Sequence, residues 1–254
     1  MQAGRLRIVD TSGRKRVIVI TGASRGLGRE IALRFGRAGD RIVVNYLHHE
    51  DAAAAVVEAI IGCGGDAVAF RADVCSSDDV NTMMTTTVAK WNRIDVLVNN
   101  AGITRDGVLL RMSEQNWDDV MGINLTGAFL CMRAASQIMQ HQKNGHIISL
   151  ASIVALQGRE GQANYSASKA GVIGLTKAAA REFGPMNVKV NAVIPGYLPT
   201  AMGETVSDTM HDRIIRENAL GRVSNPSEVA EFIYQLSLME NVSGQVFNLD
   251  SRII

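Results

Sequence analysis

Val17-Ile18-Val19-Ile20-Thr21-Gly22-Ala23-Ser24-Arg25-Gly26-Leu27-Gly28 is the stretch on which the fold turns. Four β-branched apolar residues in a row read as a strand covered on both faces, because a half-exposed strand would alternate with polar residues. Directly after it, glycines at 22, 26 and 28 permit a tight turn and a close approach of backbone to a ligand. A helix begins where the turn ends. Its N-terminus points unpaired N–H groups and the positive end of its dipole at whatever sits in the turn, which suits an anion such as a pyrophosphate. The spacing G-x-x-x-G-x-G is not the commoner G-x-G-x-x-G, and glycine turns also join strands to helices with no ligand. Coming in the first unit of the chain, between strand and helix, the stretch predicts a dinucleotide loop formed by Gly22, Ser24, Arg25, Gly26, Leu27 and Gly28.

Outward from this loop, short apolar runs recur at Ile42–Val44, Ala67–Phe70, Val96–Val98, Ile147–Leu150, Val188–Ile194 and Val246–Leu249. Helical segments separate them: Arg29–Ala38, Ala52–Ile61, Asp78–Lys90, Trp117–Met139, Tyr165–Phe183 and Glu228–Met239. Strand–helix–strand repeated in this way demands parallel pairing with right-handed crossovers. The expected fold is a single-domain α/β protein of the Rossmann type. It would be a doubly wound parallel sheet of about seven strands, with helices on both faces. Residues 1–14 read as an N-terminal arm and 15–254 as the domain. The stretch of about 195–224 begins at a strand's carboxyl end and reads as a long irregular substrate lid.

The second strand runs out through Asn45 and Tyr46 into Leu47-His48-His49, both strand-end residues being candidates for the adenosine side of a nucleotide. An acidic residue here would hold a ribose 2′-hydroxyl and repel a 2′-phosphate, yet none occurs before Glu50. Arg25 inside the loop offers a planar fork suited to phosphate. NADP(H) is therefore the expected cofactor. The adjacent histidines His48 and His49 could join in, but read more readily as solvated surface.

Far downstream, Ser152 follows the fifth strand, and Tyr165 and Lys169 stand four apart in Y-S-A-S-K. On a helix they share one face. A free phenol has a pKa near ~10 and holds its proton tightly at neutral pH. An ammonium about 5 Å away, at an effective dielectric near ~20, contributes about 3 kcal/mol, enough to make the phenol about a hundredfold stronger as an acid. The spacing thus predicts a phenol acidified by Lys169 as proton donor, with Ser152 polarising a substrate oxygen. A tyrosine and a lysine four apart also arise by chance, so the pair gains its weight from the loop upstream.

The balance of Lys+Arg 26 against Asp+Glu 25 leaves a net charge of +1, which argues against nucleic acid or an anionic membrane as the main partner. No apolar run approaches the ~20 residues of a membrane span, and the start of the chain has no secretory core. Cys63, Cys75 and Cys131 lack paired or metal-ligand spacing and are expected to be free, buried thiols in a reducing, cytoplasmic setting.

With these residues in view, the chain resembles the short-chain dehydrogenase/reductase family over essentially its whole length. The motifs that carry the resemblance are T-G-A-S-R-G-L-G at 21–28, Asp73-Val74, N-N-A-G at 99–102, Asn124, Ser152, Tyr165 with Lys169, and Pro195-Gly196 with Thr200. The resemblance implies catalysis by Asn124, Ser152, Tyr165 and Lys169. It implies cofactor contacts from Asp73 and Val74 at the adenine and from Asn100, Ala101 and Gly102 along the cleft. Lys169, with Pro195, Gly196, Leu198 and Thr200, would serve the nicotinamide end, and a homotetramer is implied. By its residue type alone, Asn124 reads as a cap or a polar core residue. Within the family the chain looks most like the 3-oxoacyl-[acyl-carrier-protein] reductases of bacterial-type fatty acid synthesis. The segments 99–112, 161–177 and 191–197 carry this finer likeness. It implies an acyl thioester substrate linked to acyl carrier protein or coenzyme A. A sugar, another small ketone or a secondary alcohol as substrate, and a non-catalytic nucleotide-binding scaffold, are the competing readings.

Overall fold

The computed structural model describes residues 14–198 and 208–252. Seven parallel strands form one sheet in the order β3-β2-β1-β4-β5-β6-β7. They are β1 Val17–Ile20, β2 Arg41–Tyr46, β3 Asp66–Arg71, β4 Val96–Asn99, β5 Gly145–Leu150, β6 Val188–Ile194 and β7 Val246–Asn248. The main helices are α1 Gly26–Arg37, α2 Glu50–Gly62, α3 Ser77–Trp91, α4 Glu114–Met121, α5 Gly127–Gln142, α6 Val154–Gln157, α7 Ala163–Phe183, α8 Asp208–Glu217 and α9 Pro226–Leu236. This is the doubly wound Rossmann-type sheet that the alternation of strands and helices predicts. No helix among the described residues is long and apolar enough to cross a membrane.

The continuous apolar strands are explained by two cores. Along β1, Ile18 and Ile20 point into a cluster shared with α1, α2 and α9, whereas Val17 and Val19 point into another shared with α3, α5 and α7. The strand order reverses at β1, which pairs with both β2 and β4. The crevice at the carboxyl ends of these two neighbours is where such a sheet takes its ligand.

Three expectations need correction. The lid stretch is not irregular throughout, since α8 lies inside it; positions 199–207 fall outside the described residues, as do 1–13 of the arm. The cysteines are free, but only Cys131 is buried. Cys63 caps the end of α2 and Cys75 sits in the turn entering α3, places where the chain faces outward. Lastly, the helix predicted at 117–139 is two helices joined by a π-helical turn, Gly122–Thr126.

At the opposite, amino ends of the strands lies a buried polar belt. Arg16 grips Asp40 with Nη2 at 2.8 Å, and Lys189 Nζ bonds Glu240 at 2.8 Å. Between these cations His146 is buried and neutral. Asn191 Oδ1 accepts from the Gln245 N–H, so its Nδ2 donates, at 2.9 Å, to His146 Nε2. The other ring nitrogen therefore carries the proton and donates to the Ser237 backbone. Burial and the charges of Lys189 and Arg16 pull the imidazole down to about 3 from 6.5. As pH falls, the unfolded chain binds this proton before the folded one does. The contribution to stability is full above about pH 6.5 and is lost toward pH 3. Urea unfolding at pH 7, 5 and 4 should show a loss of about 1 kcal/mol per pH unit from this group, absent in His146→Leu.

Candidate active site

The phosphate loop is shaped by its glycines. Gly22 and Gly26 hold φ of 61° and 56°, the left-handed region that side chains disfavour. A Cβ on Gly28 would collide with the Gly22 carbonyl oxygen and lie 2.5 Å from Asn100 Nδ2. Two asparagines brace the loop from neighbouring strands. Asn45 Oδ1 accepts from the Gly22 N–H at 3.1 Å, while Asn100 Nδ2 donates to Thr21 O at 2.9 Å and Gly22 O at 3.0 Å. Thr21 Oγ1 returns the favour by accepting from the N–H groups of Asn100 and Ala101. The first turn of α1 has no side-chain cap, so its N–H groups face the cradle that the glycines leave open. These residues fit a dinucleotide pyrophosphate.

Several residues expected to touch a cofactor are otherwise engaged. Asn45 is buried and fully occupied, its Nδ2 donating to Ala72 O at 3.0 Å. Tyr46, Leu27 and Leu198 pack into the core on the α1 side, and Val74 into the other. The Tyr46 hydroxyl bonds Glu50, the first carboxylate after β2 in the chain. Asp73 Oδ1 accepts from the Cys75 N–H at 2.9 Å and shapes the turn into α3. Asp73 is half-buried and its second carboxylate oxygen is left for a ligand, whereas the packed side chains of Leu27, Val74 and Leu198 leave mainly their backbone. Arg25 is exposed, as is Arg71, whose Nε donates to Leu47 O at 3.2 Å. Arg71 could not be singled out from the sequence, because only the β2–β3 register sets it beside Tyr46. Pro195, Gly196 and Leu198 follow β6 as expected, with Gly196 at φ 81° packed against Ser224 and Asp250. Thr200 lies outside the described residues.

Ser152, Tyr165, Lys169 and Asn124 come together. Ser152 donates to the Tyr165 phenol oxygen. Lys169, one helical turn further along α7, is buried with Nζ 2.8 Å from Leu150 O and 5.7 Å from the centroid of the Tyr165 ring. Asn124, in the π-helical turn, accepts from the Ile103 N–H at 2.8 Å and donates to Ile103 O and Ser168 Oγ. It is thus a buried polar residue and caps no helix. A Cβ on Gly102 would stand 3.1 Å from Asn124 Oδ1 and 3.7 Å from Lys169 Nζ, which ties the end of β4 to the same place.

One electrostatic expectation fails. Burial pushes the Tyr165 phenol up to about 12; the Ser152 hydrogen bond works against this and Asp106 adds to it. Burial also pulls the Lys169 ammonium down to about 8, and its attraction for a phenolate does not outweigh the cost of burying one. Counting only the attraction between the two groups leaves out the cost of drying either charge. Tyr165 therefore rests with its proton on, next to a hydroxyl that can share an oxygen with it. Such a pair can hold a carbonyl oxygen and protonate it once it becomes an alkoxide, a far stronger base than phenolate. The positioning of Tyr165 by Asn164, its neighbour in sequence, also escapes sequence reading, since the partners of Asn164 are 59 and 48 residues away.

A family profile described as short chain dehydrogenase matches residues 16–211. A 3-oxoacyl-[acyl-carrier-protein] reductase of Synechocystis sp. is 46% identical over 241 residues, covering 94% of this chain and 96% of that protein. Proteins of the same name from Staphylococcus aureus and Staphylococcus epidermidis are each 43% identical over 234 residues, covering 91% of this chain and 95% and 96% of theirs. With its sheet order, its glycine cradle and this extent of match, the chain belongs to the short-chain dehydrogenase family.

Proposed function

We propose that the chain reduces 3-oxoacyl thioesters to 3-hydroxyacyl thioesters in fatty acid synthesis, using NADPH. The observation that carries the substrate class is the 43–46% identity, over 91–94% of the chain, to relatives named for that reaction. The site supplies a proton donor for this reaction, since Tyr165 rests protonated beside Ser152. The nicotinamide, when bound, supplies the hydride that reaches the 3-keto carbon. Ser152 orients the keto oxygen, and Tyr165 gives that oxygen its proton. Lys169 then faces the phenolate left behind, which makes its ammonium worth burying. The same reading carries acyl carrier protein or coenzyme A as the handle of the substrate, a homotetramer and a cytoplasmic setting.

The test is NADPH oxidation followed by absorbance with a carrier-linked 3-oxoacyl thioester, acetoacetyl-coenzyme A, and a panel of sugars and ketones. Fast turnover confined to the non-thioesters overturns the substrate assignment. Preference for the 2′-phosphate rests on Arg25 and Arg71 flanking the end of β2, with the Glu50 carboxylate engaged by Tyr46. Arg25→Ala should weaken NADPH about ten- to a hundredfold in a fluorescence titration, the range expected for charge-assisted bonds, and NADH by less than about threefold. Arg71→Ala should give a smaller loss of the same sign. Equal losses for both cofactors would place the 2′-phosphate elsewhere.

A further inference from the structure

The start of α7 is joined to the rest of the molecule in an unusual way. Tyr165 stands in the first turn of the helix, where backbone N–H groups lack helical partners. The residue at the N-cap, Gln162, does not cap. Its buried side chain turns to the loop after β4 instead, donating to both oxygens of Asp106 at 3.1 and 3.0 Å. The Tyr165 N–H is taken by the residue beside it, with Asn164 Oδ1 accepting at 2.8 Å. Asn164 is completely buried, and both hydrogens of its amide are committed. Nδ2 donates to Arg105 O at 3.0 Å and to Asn116 O at 3.1 Å. One side chain thus joins α7, the loop after β4, and α4.

Other ties run alongside it. The Gly107 N–H donates to Gly161 O at 2.8 Å, and Asn124 links Ile103 to Ser168. The loop after β4 is therefore stitched to α7 at residues 103, 105, 106 and 107. That loop starts at Asn100, which holds the phosphate loop. A continuous piece of chain connects the cradle to the base of the helix that carries Tyr165. A buried amide keeps such a place only if every donor is satisfied, and here each is.

We propose that Asn164 is a positioning residue for proton transfer: it fixes where Tyr165 enters the cleft by binding its backbone N–H and anchoring that point to Arg105 and Asn116. The proposal rests on the reading of Tyr165 as the acid. Displacing a reacting group by ~1 Å costs about a hundredfold in rate, so this joint acts on turnover more than on binding.

Asn164→Asp keeps the shape and the acceptor for the Tyr165 N–H. Ionised, it turns an oxygen toward two carbonyl oxygens; protonated, it regains one donor. The charged and titratable groups linked to its partners are Arg105, which pairs with Asp119 of α4, Asp106, held by Gln162, and Tyr165 and Lys169 on α7 itself. The expected result at pH 7.5 is a kcat at least about tenfold below the unaltered protein, with the NADPH Kd from fluorescence changed less than about twofold. Expressed as a ratio to the unaltered protein at each pH, kcat should climb several-fold between pH 7.5 and 5.5, and Asn164→Ala should show no such climb. Full kcat at pH 7.5, a ratio flat with pH, or a loss of NADPH affinity matching the loss of kcat overturns the proposal. If Asn164→Asp does not accumulate folded, Asn164→Ser can still accept from Tyr165 but spans neither carbonyl, and unaltered kcat in that variant overturns it equally. An active Tyr165→Phe would instead remove the reading of Tyr165 as the acid, so the two failures are distinguishable.

Discussion

Tyr165→Phe should lower kcat for carbonyl reduction by about a thousandfold while leaving the NADPH Kd within about twofold, the span that general acid catalysis commonly supplies. The substitution removes one oxygen and little else. The ring of Tyr165 packs beside Ala151, Ile153 and Val154, and phenylalanine keeps that packing. What goes is the oxygen paired with Ser152 and the Tyr165 phenolic proton. Without it, a developing alkoxide would have to take its proton from water or from Lys169, which is tied to Leu150 O. Stopped-flow NADPH binding and steady-state turnover on the same preparation separate the two effects. Turnover within tenfold of the unaltered enzyme would show that the acid is another group.

Gly28→Ala should abolish cofactor binding in the accessible concentration range, a loss of at least about a hundredfold. The added methyl group would occupy the space of the Gly22 carbonyl oxygen and stand 2.5 Å from Asn100 Nδ2 and 3.1 Å from Ala23 Cα. Two of these three atoms are backbone and cannot swing aside. The loop must open, breaking the Asn100 bonds to Thr21 and Gly22 that keep its carbonyls turned from the cradle. Overpacking of this kind also costs about 1–3 kcal/mol of stability. NADPH fluorescence and urea unfolding measure the two losses. Gly62→Ala is the matched control, since a Cβ there meets nothing within 4 Å, and it should bind and fold as before.

The fold was legible because its signals are local. β1 and β6 match their apolar runs to the residue, Val17–Ile20 and Val188–Ile194, since a strand buried on both faces writes its limits as hydrophobicity. Helix starts were read two or three residues late where the cap is polar, as at Ser113, which accepts from the Asn116 N–H ahead of α4, and at Asn225, which accepts from the Ser227 N–H ahead of α9. The π-helical turn at Gly122–Thr126 left no trace in composition, because inserting one residue into a helix changes geometry and not residue type. At the site, the spacing of Tyr165 and Lys169 gave the shared helical face correctly. It could not give their proton affinities, which depend on how much water the fold removes. Asn45 and Asn164 were equally opaque: what an amide does is decided by partners from distant strands and loops.

The grip of Asn100 on the phosphate loop has a consequence for the nascent chain. β1, β2 and β3 are consecutive neighbours in the sheet and are complete once residue 71 has left the ribosome. The turn at 21–28 would then exist without its second brace until some thirty more residues emerge. During that interval the half-sheet would expose the edge of β1 that β4 later covers, while its nucleotide cradle would still be loose. Synthesis would pass through a stage that needs shielding from other chains, and a nucleotide could stabilise the protein only after that stage has ended.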